Sequence, residues 1–398
     1  MATFNENDPI VILSYARTPM GAMMGALSDA SATDLGATAV KAALERAGTA
    51  GEDIDRVYMG CVLPGGLGQA PARQAALKAG LPKSAEATTV NKVCGSGMQT
   101  VIMGAEALAA GGADIVVAGG MESMTNAPYL LKKHRAGARL GHDTAYDHMF
   151  LDGLEDAYKP GTAMGAYAQE MADQYQLTRE QMDEYSIESL SRANAAIDSG
   201  TFADEVVPVT ISTRKGDVVV DTDESPSKGR PDKIPALRPA FAKEGTITAA
   251  TSSSISDGAA AVVLARESTA SAKGLTPVAK LVGMAAHAQE PAAFTTAPVG
   301  AIQKLLEKTG WSVDDVDLWE VNEAFACVTM FAMRDIGIAH EKINVNGGGT
   351  ALGHPIGASG TRIIVTLIAA LKARGLKRGI ASLCIGGGEG TAVAVELV

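Results

Sequence analysis

Aromatic residues are scarce in this 398-residue chain, at 4% of the total. Cysteine is scarcer: four residues, at positions 61, 94, 327 and 384, with no framework spacing. That pattern excludes a disulfide-stapled secreted module and points to a reducing compartment. No cysteine–histidine grouping has zinc spacing, so no metal is expected, and no glycine loop has the P-loop pattern. Positive charge is in deficit. A formal net charge of −11 argues against a nucleic-acid or anionic-membrane surface. No apolar run reaches the length of a membrane span. The first residues, Met1–Asp8, are acidic and lack a signal core or an arginine-rich presequence, and the last four, Val395–Val398, form no peroxisomal address. These absences together lead us to expect a cytoplasmic protein.

What remains is an ordinary globular composition, 46% apolar and 20% charged. The length allows a large core and two or three domains. Abundant alanine and 44 glycines suit close helix–sheet packing.

Four segments carry chemistry. In Asn91-Lys92-Val93-Cys94-Gly95-Ser96-Gly97-Met98-Gln99, strand-like Thr88–Val90 precede the cysteine. Val101, Ile102, Ala105 and Leu108 then fall on one helical face. Cys94 is therefore expected at a strand-to-helix turn, where free N–H groups and the helix dipole favour a thiolate. Taken alone, such a cysteine is more often a small core residue. The second segment, Asn344–Gly360, has glycine at 347, 348, 349, 353, 357 and 360. No packed helix or central strand tolerates that density, so His354 sits in a backbone-built loop, available as a base for a thiol. His134, His142 and His340 fit the blander reading of surface or satisfied histidines. The third segment, Ile380–Gly390, reads as a buried strand entering a glycine turn, with Cys384 near its end and backbone N–H groups exposed for an oxyanion hole. The fourth, Val321-Asn322-Glu323-Ala324-Phe325-Ala326, follows strand-like Val316–Glu320. By itself it reads as an N-cap asparagine with a first-turn glutamate.

A weak internal repeat accompanies them. Glu52–Val57 resembles Asp314–Trp319, each a helix end followed by a strand. Each then leads to a glycine-flanked segment, an apolar helix and a strand ending in glycines. Two βαβ-rich halves would set two groups of loops around one cleft. Between them, Met124 to about Gly245 is richer in charge, proline and histidine. It includes a basic island, Tyr129–Arg139, and a loop-like run, Asp221–Pro239.

Val93-Cys94-Gly95-Ser96-Gly97, Asn322-Glu323-Ala324-Phe325, Gly353-His354-Pro355 and Cys384-Ile385-Gly386-Gly387-Gly388 occur in the order and at separations similar to those of the thiolase family. The chain resembles that family from Ala16-Arg17-Thr18-Pro19 to its last strand, and most of all the branch acting on acetyl-CoA. The resemblance implies an α/β thiolase-like fold. Two homologous βαβαβαββ halves with five-stranded mixed sheets would occupy 1–124 with 246–275, and 276–398, and a loop domain 125–245 would bind CoA and make oligomer contacts. It implies reversible Claisen condensation of two acetyl-CoA molecules to acetoacetyl-CoA and CoA, with CoA thioesters as substrates, no tightly bound cofactor, and a homotetramer.

By the same resemblance, Cys94 is the nucleophile, His354 its base and Cys384 the α-proton base. His354 and a water held by Asn322 stabilise the enolate, and the Cys94 and Gly386 amides stabilise the tetrahedral intermediate. Met164 belongs to the acyl pocket. Leu237, Ala240, Phe241, Ser253 and Phe325 contact the coenzyme, and Lys228 or Arg230 faces its phosphates. Three positions depart from the pattern: Ala163 replaces a histidine, Ser254 a glycine, and Phe294 a methionine near the acyl site. A broad-range degradative 3-ketoacyl-CoA thiolase uses the same residues with a wider pocket and stays open as an alternative. Cys384 argues against a decarboxylating condensing enzyme, retention of all four motifs against a non-catalytic scaffold, and the order of Asn322 before His354 against a papain-like protease.

Overall fold

The computed structural model describes residues 7–398, so the reading of Met1–Asp8 falls mostly outside the described residues. The first half contains β1 (Ile10–Arg17), α1 (Ala32–Ala47), β2 (Arg56–Gly60), α2 (Pro71–Lys78), β3 (Glu86–Val90), α3 (Ser96–Ala109) and β4 (Ile115–Ser123). An intervening region follows, with α4 (Met164–Gln174), α5 (Arg179–Asp198) and a hairpin of Val209–Thr213 with Gly216–Val220. The chain then returns as β5 (Ser256–Arg266) to complete the first sheet. The second half contains β6 (Ala279–Ala288), α6 (Ala297–Thr309), β7 (Leu318–Val321), α7 (Ala326–Ala332), α8 (Ser359–Arg374), β8 (Arg378–Ile385) and β9 (Glu389–Leu397).

The repeat is visible in strand order. In the first half β1, β5 and β4 pair antiparallel, then β4, β2 and β3 pair parallel. In the second half β6, β9 and β8 pair antiparallel, then β8 and β7 parallel. The first half has the five strands expected. The second has four, and its fifth is reduced to a single parallel bridge between Trp319 and Ile343, because the glycine-rich loop begins immediately afterwards. The halves join edge to edge where Val11 and Ile12 of β1 meet Lys280 and Ala279 of β6. Asp55 and Asp317 mark the repeat at atomic level. Asp55 Oδ2 accepts from the Asp114 and Ile115 amides, and Asp317 Oδ2 from those of Lys377 and Arg378, so each clamps the start of an equivalent strand.

Side chains alternate across each strand, and the core divides accordingly. Val117 and Met121 of β4 face α1, while Val116 and Ala118 face α3. The two expected sheets are thus one continuous ten-stranded sheet, and both of its halves present a face to α3 and α8, which lie against each other. α6 and α7 cover the outer face of its second half, together with α4 and the start of α5. This layered packing brings the N-terminal ends of α3 and α8 together at the molecule's centre.

Candidate active site

Cys94 lies in the turn between β3 and α3, where the backbone is bent hard. Val93, a β-branched residue, adopts φ +47°, a genuine outlier that the surroundings must impose. Ser96 holds the turn: its Oγ accepts from the Lys92 amide at 2.8 Å and donates to the Val93 carbonyl at 2.7 Å. Gly95 has no room for a side chain, since a Cβ there would lie 2.9 Å from Ile385 Cγ1.

The amides of Gly386 and of Cys94 itself are aimed at the Cys94 sulfur and favour its anion. They do not win. Cys94 is only partly covered at the surface, but its sulfur is desolvated, and burial pushes the thiol up to about 11, with Glu122 adding to the rise. Burial thus outweighs both amides, and the resting group is the thiol that His354 is expected to deprotonate.

His354 is buried and its imidazole is held neutral, its pKa lowered to about 3 by burial first and by the Arg362 charge second. Its Nδ1 lies 2.5 Å from Ser359 Oγ. Ser359 has one hydroxyl proton and directs it to the Pro355 carbonyl at 2.9 Å. The contact to Nδ1 is then donated by Nδ1–H, which leaves the lone pair on Nε2. Nε2 is buried and makes no hydrogen bond.

Asn322 does not cap a helix. α7 begins at Ala326 with no side-chain cap, and Asn322 and Glu323 precede it, both buried. Asn322 Nδ2 sits 3.4 Å from His354 Nδ1. Glu323 accepts from Tyr185 and Ser189 of α5 and from Asn344 and Thr350 of the glycine loop, each at 2.6–2.8 Å. The turn holding Asn322 is thus anchored to the region between the halves.

Cys384, at the end of β8, is fully buried, and its pKa is raised well above the usual thiol value by burial, then by its neighbours Cys94 and Cys327. Glu122, fully buried at the end of β4, accepts from the amides of Val62, Leu63 and Gly357. It thereby ties the loop carrying His354 to the first half. Cys94 packs against the same apolar cluster as Val62, Leu63 and Ile356. The fold therefore brings Cys94, His354, Cys384, Asn322 and Gly386 into one region, from both halves of the chain.

Two cavities adjoin it. One, of about 250 Å³, is lined by Val93, Met164, Gly386, Gly387 and the segment 151–158. The other, of about 350 Å³, is lined by Lys228, Arg230, Lys233, Leu237, Ser254 and Thr350 among others. It reaches Ser254, whose carbonyl accepts from the His354 amide at 3.1 Å. Lys228 is also paired with Glu224. Phe241 and Phe325 instead pack edge to face, with ring centroids 5.9 Å apart, and lie in the apolar cluster with Met164. Ala240 and Ser253 are fixed by backbone bonds, Ala240 to Ile247 and Ser253 to Ala324. Phe294 is buried in that same cluster beside α4. Sequence reasoning passed over Lys233, Thr350 and Glu122. The basic spacing at 228, 230 and 233 was a signal for the first, but nothing local marks Glu122.

Comparison with known proteins agrees with this architecture. Residues 10–268 match the family model for the thiolase N-terminal domain, and residues 275–397 that for the thiolase C-terminal domain. An acetyl-CoA acetyltransferase of Rhizobium meliloti is 48% identical over 392 residues, covering 98% of this chain and 99% of that protein. One of Escherichia coli is 50% identical over 388 residues, covering 97% and 98%. The crystal structure of the Bacillus anthracis acetyl-CoA acetyltransferase superposes with a TM-score of 0.96 at 40% identity, covering 98% of this chain and 99% of that one. This chain belongs to the thiolase family.

Proposed function

We propose that this chain catalyses the reversible Claisen condensation of two acetyl-CoA molecules to acetoacetyl-CoA and CoA, with the acyl group carried on Cys94. The observation that carries the reading is a thiol with two amides aimed at its sulfur and a second buried thiol beside it, while a neutral imidazole with an unpartnered Nε2 sits on a loop that packs, through Ile356, in the same apolar cluster as Cys94.

In the first half-reaction Nε2 of His354 takes the Cys94 proton as the sulfur attacks the thioester. The amides of Cys94 and Gly386 receive the charge that develops on the acyl oxygen, and CoA leaves with the proton. In the second, Cys384 removes an α-proton from the incoming acetyl-CoA, and Asn322 with His354 stabilises the enolate oxygen. The nascent carbanion attacks the acyl-Cys94 carbonyl, releasing the product and restoring the thiol. A thioester α-proton is very weakly acidic, so the base needs those donors.

CoA thioesters enter as substrates, with no resident cofactor. The phosphates meet Lys228, Arg230 and Lys233, a local basic patch on an acidic chain, and Ser254 and Leu237 flank the pantetheine. Met164 lines the small cavity beside Gly386, whose volume suits a short acyl chain. The chain works in the cytoplasm as a homotetramer. Exposed Tyr129, Leu131 and Leu140, on and beside a short hairpin, supply apolar surface for subunit contact. Among the described residues, no helix is long and apolar enough to cross a membrane.

The test is acetylation. Mixing the protein with acetyl-CoA alone should place one acetyl group on the peptide containing Cys94, and Cys94→Ser should abolish it. Stable label on Cys61 or Cys327 instead refutes the assignment. A chain-length series of 3-ketoacyl-CoA substrates should favour C4. Equal thiolysis of long chains would mark the broad-range enzyme instead.

A further inference from the structure

Arg362 is fully buried in the first turn of α8, three residues beyond Ser359. Its Nη2 lies 3.4 Å from Asn322 Oδ1, and its Nη1 lies 3.6 Å from a Glu320 carboxyl oxygen. An Arg–carboxylate pair built for stability closes to about 2.7–2.9 Å and is often bidentate. Here Nε, Nη1 and both Glu320 oxygens make no hydrogen bond. The guanidinium is thus poorly used as an ion-pair partner, although its burial is costly. It does have a consequence at the site. A guanidinium only donates, so the atom of Asn322 that faces it must be the carbonyl oxygen. That turns the Asn322 NH₂ to the His354 side; because Nδ1 already carries a proton, the 3.4 Å approach is not a hydrogen bond to the ring and the NH₂ protons stay free. After burial, the Arg362 charge also opposes protonation of the His354 ring.

We propose that Arg362 is a positioning residue for acyl transfer: by facing the Asn322 carbonyl oxygen it presents the Asn322 amide as a donor on the His354 side of the site. Its charge, second to burial, also favours the proton-accepting form of His354. Glu320 of β7 and Glu323 just beyond it, Arg17 of β1 and Glu205 from the region between the halves are the charged groups that face Arg362. Three of these are carboxylates and one a guanidinium, so acidic groups outnumber basic ones around Arg362, although none forms a tight pair with it. The Arg362 charge makes an imidazolium on His354 a ready proton donor to the departing CoA thiolate. This inference rests on the acyl-transfer reading above.

The experiment compares Arg362→Gln and Arg362→Lys with the unaltered enzyme in thiolysis of acetoacetyl-CoA across pH, with the imidazole ¹⁵N titration of His354 followed in parallel and identified by its loss in His354→Asn. Arg362→Gln should lower kcat about tenfold with KM nearly unchanged. It should also move both the acidic limb and the His354 titration upward by about one pH unit. Arg362→Lys keeps the charge but loses the planar fork. It should keep the acidic limb of the unaltered enzyme and still lose about tenfold in kcat. A folded Arg362→Gln enzyme with unchanged kcat and unchanged His354 titration overturns the proposal. Should that variant not fold, an unchanged kcat in Arg362→Lys overturns it. Acetylation of Cys94 separates the two readings: its failure in the unaltered enzyme sinks acyl transfer itself, whereas normal acetylation with an unmoved Arg362→Gln profile sinks only the role of Arg362.

Discussion

Cys94 and His354 rest as thiol and neutral imidazole, since burial raises the first to about 11 and lowers the second to about 3. Between those values neither carries charge, so the pair is primed to pass a proton only when an acyl carbonyl accepts the sulfur's electrons. The sign is testable. Alkylation of Cys94 by iodoacetamide should rise about tenfold per pH unit and level off only near pH 11. A plateau already at neutral pH would reveal a preformed thiolate–imidazolium pair and overturn this account. Cys384 separates from Cys94 by function. If it removes the α-proton, Cys384→Ala should retain much of the acetylation of Cys94 yet lose condensation, thiolysis and deuterium exchange into acetyl-CoA. Normal solvent exchange in the folded variant would leave His354 as the only base. If Cys384 were merely a buried small residue, alanine would cost some stability and little chemistry.

At the scale of elements, the site exists because α3 and α8 approach almost backbone to backbone. A Cβ on Gly97 would sit 2.8 Å from the Thr361 amide, and one on Gly360 would meet the amide of Met98. Thr361 Oγ1 donates to the Gly97 carbonyl at 2.8 Å, fastening the two helix starts. Alanine at 360 would gain up to about 1 kcal/mol in helix propensity, but the obstruction is backbone, which does not rotate away. Overpacking of that kind costs about 1–3 kcal/mol. Gly360→Ala should therefore destabilise the protein in urea unfolding and lower kcat, because separating α3 from α8 separates Cys94 from His354. Unchanged stability and activity would show that the helices tolerate a wider spacing. The glycine density around His354 was legible in sequence as a loop; its use for helix contact was not, because the partner residues lie more than 250 positions away.

At the scale of the whole molecule, buried charge ties the intervening region to the two halves. Arg17 of β1 donates from Nη1 and Nη2 to Asp223 at 2.7 and 2.8 Å and from Nε to Glu205, all three residues being almost fully buried. Thr366 of α8 donates to the same Glu205. Removing one member of such a set strands the others without compensation, at about 3–5 kcal/mol. Arg17→Met should lower urea stability by that amount, and a change below about 1 kcal/mol would show that the two carboxylates do not depend on Arg17. The Glu323 cluster plays the corresponding part at the active-site end, through Tyr185 and Ser189. Tyr185→Phe leaves one carboxylate oxygen short of a donor and should cost about 1–3 kcal/mol, read by thermal unfolding, with slower acetylation of Cys94.

The turn chemistry was determined by sequence alone. Glycines at 95 and 97, the run 347–349, and those at 386–388 admit few backbone paths, so the reactive segments and the duplicated strand–helix pattern could be read from residues near each other in the chain. Local patterns also located Cys94 and His354 on those turns and Cys384 at the end of the strand leading into one. The tertiary structure alone decided how charged they are and who holds them. Desolvation depends on everything that surrounds a group, which is why Cys94 rests as a thiol despite its helix start. The partners of Asn322, Glu323 and Arg362 come from both halves and from α5. Side-chain orientation and pKa are set by contacts across the fold, and no window along the chain contains them.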